Sequence, residues 1–194
     1  MPSDSTIFAG LDVSSGRKPV TFAALDDDLK IERLEKWDVA TAFASLAEYE
    51  NIWLAVSLSA LRNRQELQTE FKKEIRRAGF RSFAERGNAR QWLETNAQDC
   101  FRVFTGQKLL PRRALEGRLQ RSAILYEQGL SVTDPIDIFE EITRYKLIQG
   151  VLPLESLPSA NELDALMAAY LAWMMVNRPR QTLAQGEFVL PVKE

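Results

Sequence analysis

Histidine is absent from the 194 residues, and cysteine occurs once, at Cys100. Without histidine there is no Ser-His-Asp triad and no imidazole proton shuttle. A single cysteine cannot close an internal disulfide, and without histidine the usual zinc ligand sets are out of reach. Cys100, between Asp99 and Phe101, has no base to activate it and reads as packing. Glycine and proline are sparse, 9 and 8 residues, and no repeat or low-complexity tract breaks the chain. No apolar run spans a bilayer: the longest apolar-rich stretch, residues 163–176, is too short and carries Asp164 near its start. The first six residues are polar, without the basic and apolar pattern of a secretory signal. These absences predict a cytoplasmic protein without a membrane partner. Any chemistry must come from carboxylates, hydroxyls, lysine, arginine or a hard metal held by oxygen.

What is present is an ordinary globular composition, 45% hydrophobic and 27% charged. One domain spanning 1–194 is expected, able to bury about 70% of its unfolded surface. The formal charge of −2 conceals a segregation. Residues 1–61 carry 5 basic and 10 acidic side chains, residues 62–121 carry 15 and 7, and residues 122–194 carry 5 and 10. A basic middle between two acidic flanks suggests a polyanionic partner such as nucleic acid, or equally a set of solvated helix faces. For phosphate contacts the candidates are Arg62, Arg64, Arg76, Arg77, Arg81, Arg112 and Arg113.

Hydrophobic periodicity predicts strands at 6–13, 19–25 and 29–37, joined by short links as an antiparallel meander. A helix at 39–49 and a continuously apolar, parallel strand at 52–58 follow. Helices are expected at 63–78, 89–104 and 113–128, the first and last capped by Gly79 and Gly129. The alternation after Pro135 predicts a fifth strand at 136–142, then helices at 144–149 and 161–177 and a strand at 187–192. The order implies an α/β fold with a mixed sheet, flanking helices and a basic helical insertion over about 62–130. Trp37, at a strand end, is a candidate for exposure. The Ser14-Ser15-Gly16 turn, followed by Arg17 and Lys18, reads as a hairpin turn more readily than as a phosphate cradle.

Three acidic positions stand out. Asp12 ends the first strand beside Gly10 and the Ser14-Ser15-Gly16 turn, where the backbone can bend and a ligand can approach closely. Glu140 and Glu141 fall at the end of the expected fifth strand, and alternation allows one of them to face a given side of the sheet. Asp164 opens an apolar helix, where it either serves the helix dipole or joins the other acids at the strand ends. Carboxylates gathered without histidine suit Mg²⁺ or Mn²⁺.

At these residues the chain resembles a family of uncharacterised prokaryotic proteins described as predicted nucleases of the ribonuclease H-like fold. The resemblance rests on Gly10-Leu11-Asp12, on Glu141-Ile142 or Glu140, and on Leu163-Asp164-Ala165-Leu166 with Ala168-Ala169. It implies metal-dependent phosphodiester hydrolysis. Asp12, one of Glu140 and Glu141, and Asp164 would be catalytic, with Asp12, Glu141 and Asp164 as metal ligands. The chain departs from the family pattern at Ser57, where an acid is expected, and at Asn161, where an aspartate is expected. Both changes favour an alternative: an impaired member of the fold that binds nucleic acid or a protein partner. The sequence leaves the oligomeric state open, a homodimer included.

Overall fold

A computed structural model describes residues 6–13, 19–58, 65–85, 87–141, 143–144, 147–150 and 157–192. Its centre is a sheet opened by β1 (Ile7–Asp12), β2 (Val20–Leu25) and β3 (Ile31–Trp37), which pair antiparallel in sequence order. β4 (Ile52–Ser57) then pairs parallel to β1, and β6 (Arg90–Thr95) parallel to β4. The two-residue β5 (Arg81–Ser82) lies against the start of β6. The last strands, β7 (Thr182–Gln185) and β8 (Phe188–Pro191), form a hairpin that adds to β6 through β8. The sheet order is β3-β2-β1-β4-β6-β8-β7. This is an α/β fold with a mixed sheet.

Helices cover both faces, which is why β2 is buried at every position and β4 at all but one. On one face lie α3 (Ala97–Thr105), α4 (Leu115–Glu127) and α7 (Ala160–Asn177), which share a core with Phe8, Ala55 and Leu93. On the other lie α1 (Val39–Leu46) and α2 (Gln65–Arg77), packed on Leu11, Val56 and Trp92. Two short helices, α5 (Pro135–Glu141) and α6 (Leu147–Gln149), precede α7.

α7 packs closely on β1. A Cβ placed on Gly10 would stand 2.0 Å from the Ala165 carbonyl oxygen and 2.5 Å from the Ala169 nitrogen. Backbone therefore lies directly on backbone, with a row of alanines on the helix and glycine on the strand. A capping box at Ser159 and Glu162 starts α7 firmly, so its register on the strand is defined from its first turn.

The meander, β4 and α7 lie where the sequence pattern predicts them, and Gly79 and Gly129 take left-handed conformations after α2 and α4. Three expectations need correction. Of the strand expected at 136–142, residues 136–141 lie instead in α5, because the Asp134 carboxylate accepts from the Ile136 N–H at 2.8 Å and Pro135 fills the first helical position, where no N–H is required; residue 142 lies outside the described residues. Residues 89–104 are not one helix. They are β6 and then α3, separated by Asn96, whose side chain accepts from the N–H groups of Gln98 and Asp99. The strand beside β4 thus comes from the basic stretch 62–130, which is not a purely helical insertion. Trp37 is not exposed: it is 9% accessible and stacks on Phe22 at 4.4 Å between ring centroids. The 14–18 turn lies outside the described residues. Among those described, no helix is long and apolar enough to cross a membrane.

Gly10→Ala should cost about 3 kcal/mol, because neither backbone can retreat without opening the core. The urea midpoint measures it, and a variant as stable as the parent contradicts the contact.

Candidate functional site

Strand parity fixes which side chains meet α7. Phe8, Ala55 and Leu93 face that helix, so Asp12, Ser57 and Thr95, each an even number of residues further along, face it too. They are paired in register as the last residues of β1, β4 and β6, and all three are buried. Antiparallel packing of α7 on β1 brings the turn before Ala165 to this edge. Asp12 and Asp164, both 2% exposed, thereby converge at the ends of the parallel strands.

Between them lies Arg112, from the segment leading into α4. Its Nε donates to Asp164 Oδ2 at 2.8 Å, and its Nη2 lies 2.6 Å from the same oxygen and 3.5 Å from Asp12 Oδ2. Nη2 also donates to Asn161 Oδ1 at 2.9 Å and to the Ala160 carbonyl at 3.3 Å. The other oxygen of Asp164 accepts from Gln98 Nε2 at 2.5 Å. Gln98 Oε1 in turn accepts from Arg121 Nη2 at 2.7 Å. Arg121, 1% exposed, also donates from Nη1 to the carbonyls of Gly117 at 2.7 Å and Leu110 at 3.2 Å. It thus anchors the segment that carries Arg112. Gly117 helps: a Cβ there would meet the Pro111 carbonyl oxygen at 1.9 Å, so the segment can lie flat on α4.

Burial dominates the electrostatics. It raises the Asp12 carboxyl from its ordinary 3.8 to about 7, assisted by the charge of Asp164 and opposed by Arg112. Burial also raises Asp164, against the charges of Arg112 and Arg121 and the hydrogen bonds from Arg112 and Gln98. Two desolvated carboxylates need a cation nearby, and here that cation is a guanidinium.

Mg²⁺ or Mn²⁺ would need a ring of oxygen donors. The residues present do not fit one. Arg112 stands between the two carboxylates, and the β4 position carries the Ser57 hydroxyl. Asn161 offers its amide oxygen to Arg112. Glu140 and Glu141 lie on α5, outside the sheet, with Glu140 exposed. Glu94, the acid on β6, faces the opposite side, where it pairs with Lys72 at 2.6 Å. Among the described residues no group of three or more Asp, Glu, Cys or His is placed to hold a metal ion.

Among the described residues, the candidate phosphate-binding arginines Arg76, Arg77, Arg81, Arg112 and Arg113 do not gather at one place. Arg76 pairs with Glu187 at 3.0 Å and Arg77 with Glu74 at 2.5 Å. Exposed Arg81 lies beside the start of β6, at the far end of the sheet from Asp12. Arg113 lines a cavity of about 340 Å³ with Lys36, Arg118 and Asn161, and Arg62 and Arg64 lie outside the described residues. Cys100 is packing, as expected: it is fully buried, and burial pushes its thiol up to about 12. Sequence reasoning missed Gln98 and Arg121, and counted Arg112 as a phosphate contact. Asp12 and Asp164, with Ser57 and Asn161 beside them, are the site positions that the sequence pointed to.

Fold and site together define an α/β domain with an arginine-bridged carboxylate pair at the ends of its parallel strands. No protein-family model matches the chain, and no curated protein does.

Two outcomes test the site. Between about pH 4 and pH 7 the folded chain keeps a proton on Asp12 that the unfolded chain has lost, so stability falls as pH rises through that window and levels off above it. Asp12→Asn should flatten this slope in urea midpoints measured across the range; equal slopes contradict the assignment. Arg112→Met should cost about 3 kcal/mol at neutral pH by leaving buried carboxylates uncompensated. Adding Asp164→Asn should recover part of that loss, and strictly additive midpoints would show that the pair is uncoupled.

Proposed function

We propose that this chain is a ribonuclease H-like domain that acts by binding a partner rather than by hydrolysing phosphodiesters. Support for the fold assignment comes from the antiparallel meander continued by parallel strands, with Asp12 closing β1 and Asp164 on the long helix that crosses it. The observation that carries the non-hydrolytic reading is Arg112, within reach of both carboxylates where a metal-dependent enzyme needs open coordination. Ser57 and Asn161 weigh in the same direction.

A protein is the favoured partner class. Among the described residues, several bases in the middle of the chain are engaged within the molecule: Lys72 and Arg76 with Glu187, Arg112 with Asp12 and Asp164, and Arg90 and Arg118 with backbone carbonyls. Cations held this way contribute little to binding a phosphate backbone. A second reading, a metal-dependent nuclease in which Arg112 is displaced, is favoured by the convergence of Asp12 and Asp164 at the strand ends.

Incubation with single- and double-stranded DNA and RNA in Mg²⁺ or Mn²⁺, with melting curves in the same buffers, separates the two. The binding reading expects no cleavage above that of Asp12→Asn and a metal-induced shift in Tm below about 1 °C. Cleavage that needs metal and disappears in Asp12→Asn would establish the nuclease instead.

A further inference from the structure

Away from the strand ends, α5 carries apolar residues on two sides. Ile138, 1% exposed, holds it against the molecule in a small cluster with Leu157, Leu115 and Leu119. Ile136 and Phe139 face outward, 68% and 60% exposed. Together with Leu110, Leu119 and Ala123 they line an open groove of about 490 Å³ between α4 and α5. The α4 wall is a regular stripe, with Glu116, Leu119, Gln120 and Ala123 recurring at intervals of three and four. A contiguous apolar patch with this degree of exposure marks an interaction surface more often than an accident of composition.

Charge selects the occupant. The two helices that form the groove present four exposed acids, Glu116 and Glu127 on α4 and Asp137 and Glu140 on α5. They present no exposed base: Arg121 is buried, and half-buried Arg118 reaches back to the carbonyls of Leu157 and Pro158. Glu116 lines the groove itself, and an apolar floor between two helices that carry these acids complements a segment with aliphatic anchors between lysines or arginines.

We propose that the groove between α4 and α5 docks a basic amphipathic segment of a partner protein, inserting its apolar side chains against Ile136 and Phe139. This names the partner class for the binding role proposed above. It does not depend on the chemistry of the strand-end site, since the groove would dock the same segment if that site hydrolysed nucleic acid.

Selection of a random peptide library displayed on phage against the full chain tests it. Enriched peptides should carry apolar residues at helical spacing and a net positive charge. A synthetic copy should bind with a Kd of about 1 to 100 μM, weakened about tenfold or more by Ile136→Ser with Phe139→Ser. Glu116→Lys with Glu140→Lys, changes confined to exposed positions, should weaken it about as much, and raising salt should weaken the parent complex. The proposal is overturned by a library that yields no enrichment, by enriched peptides that are neutral or acidic, or by binding that neither double variant changes. It also fails if the chain dimerises through the groove, shown by sedimentation of a dimer that Phe139→Ser dissolves and the peptides do not.

Discussion

Everything at the strand ends follows from the contact of α7 with β1 at Gly10. There the helix backbone at Ala165 and Ala169 reaches the strand backbone so closely that no side chain fits between them. Contact at that distance fixes both the rotation of the helix and its position along the strand. The residue just before Ala165 is Asp164, and Asp12 lies two residues beyond Gly10 on the same face of the strand. The tight packing of two apolar surfaces therefore carries two carboxylates into one buried place.

Placing two negative charges out of water creates an electrostatic demand, and the neighbouring segments answer it. Arg112 supplies the compensating charge, and Gln98 satisfies the second oxygen of Asp164. Arg121 holds both the glutamine and the Leu110 carbonyl. The arrangement is layered: the outer arginine and the glutamine orient the groups that touch the carboxylates, so the network loses its geometry if any member is removed. Burial still leaves Asp12 reluctant to ionise, with its carboxyl near 7. A centre built in this way stores opposing charges and leaves little open space around its oxygens.

The segregated charge of the chain acquires a structural meaning from the same contacts. Basic residues in the middle meet acids of the flanks across long sequence separations: Arg112 with Asp12 and Asp164, Lys72 and Arg76 with Glu187. Much of the excess positive charge therefore attracts other parts of the molecule. Other flank acids, Asp137 and Glu140 on α5, remain at the surface beside exposed Ile136 and Phe139.

Local pattern made the meander, β4 and α7 legible: short strands linked by turns, a short continuous apolar run in β4, and a long apolar helix stopped before Pro179. It failed at α5, where Ile136-Asp137-Ile138 alternates like a strand although Asp134-Pro135 starts a helix. It failed again at β6, which is buried on both faces and separated from α3 by Asn96 alone. The positions of Asp12 and Asp164 could be read because one ends a strand beside Gly10 and the other opens a long apolar helix. What cancels their charge could not: the pairing of Arg112 depends on the path of the segment before α4, which Gly117 and Arg121 direct through contacts remote in sequence. Composition by itself excluded histidine chemistry and internal disulfides and left carboxylates, hydroxyls, lysine and arginine as the groups available. Tertiary structure decided that a guanidinium stands between those carboxylates, because which cation reaches a buried pair depends on three-dimensional proximity that no local pattern encodes.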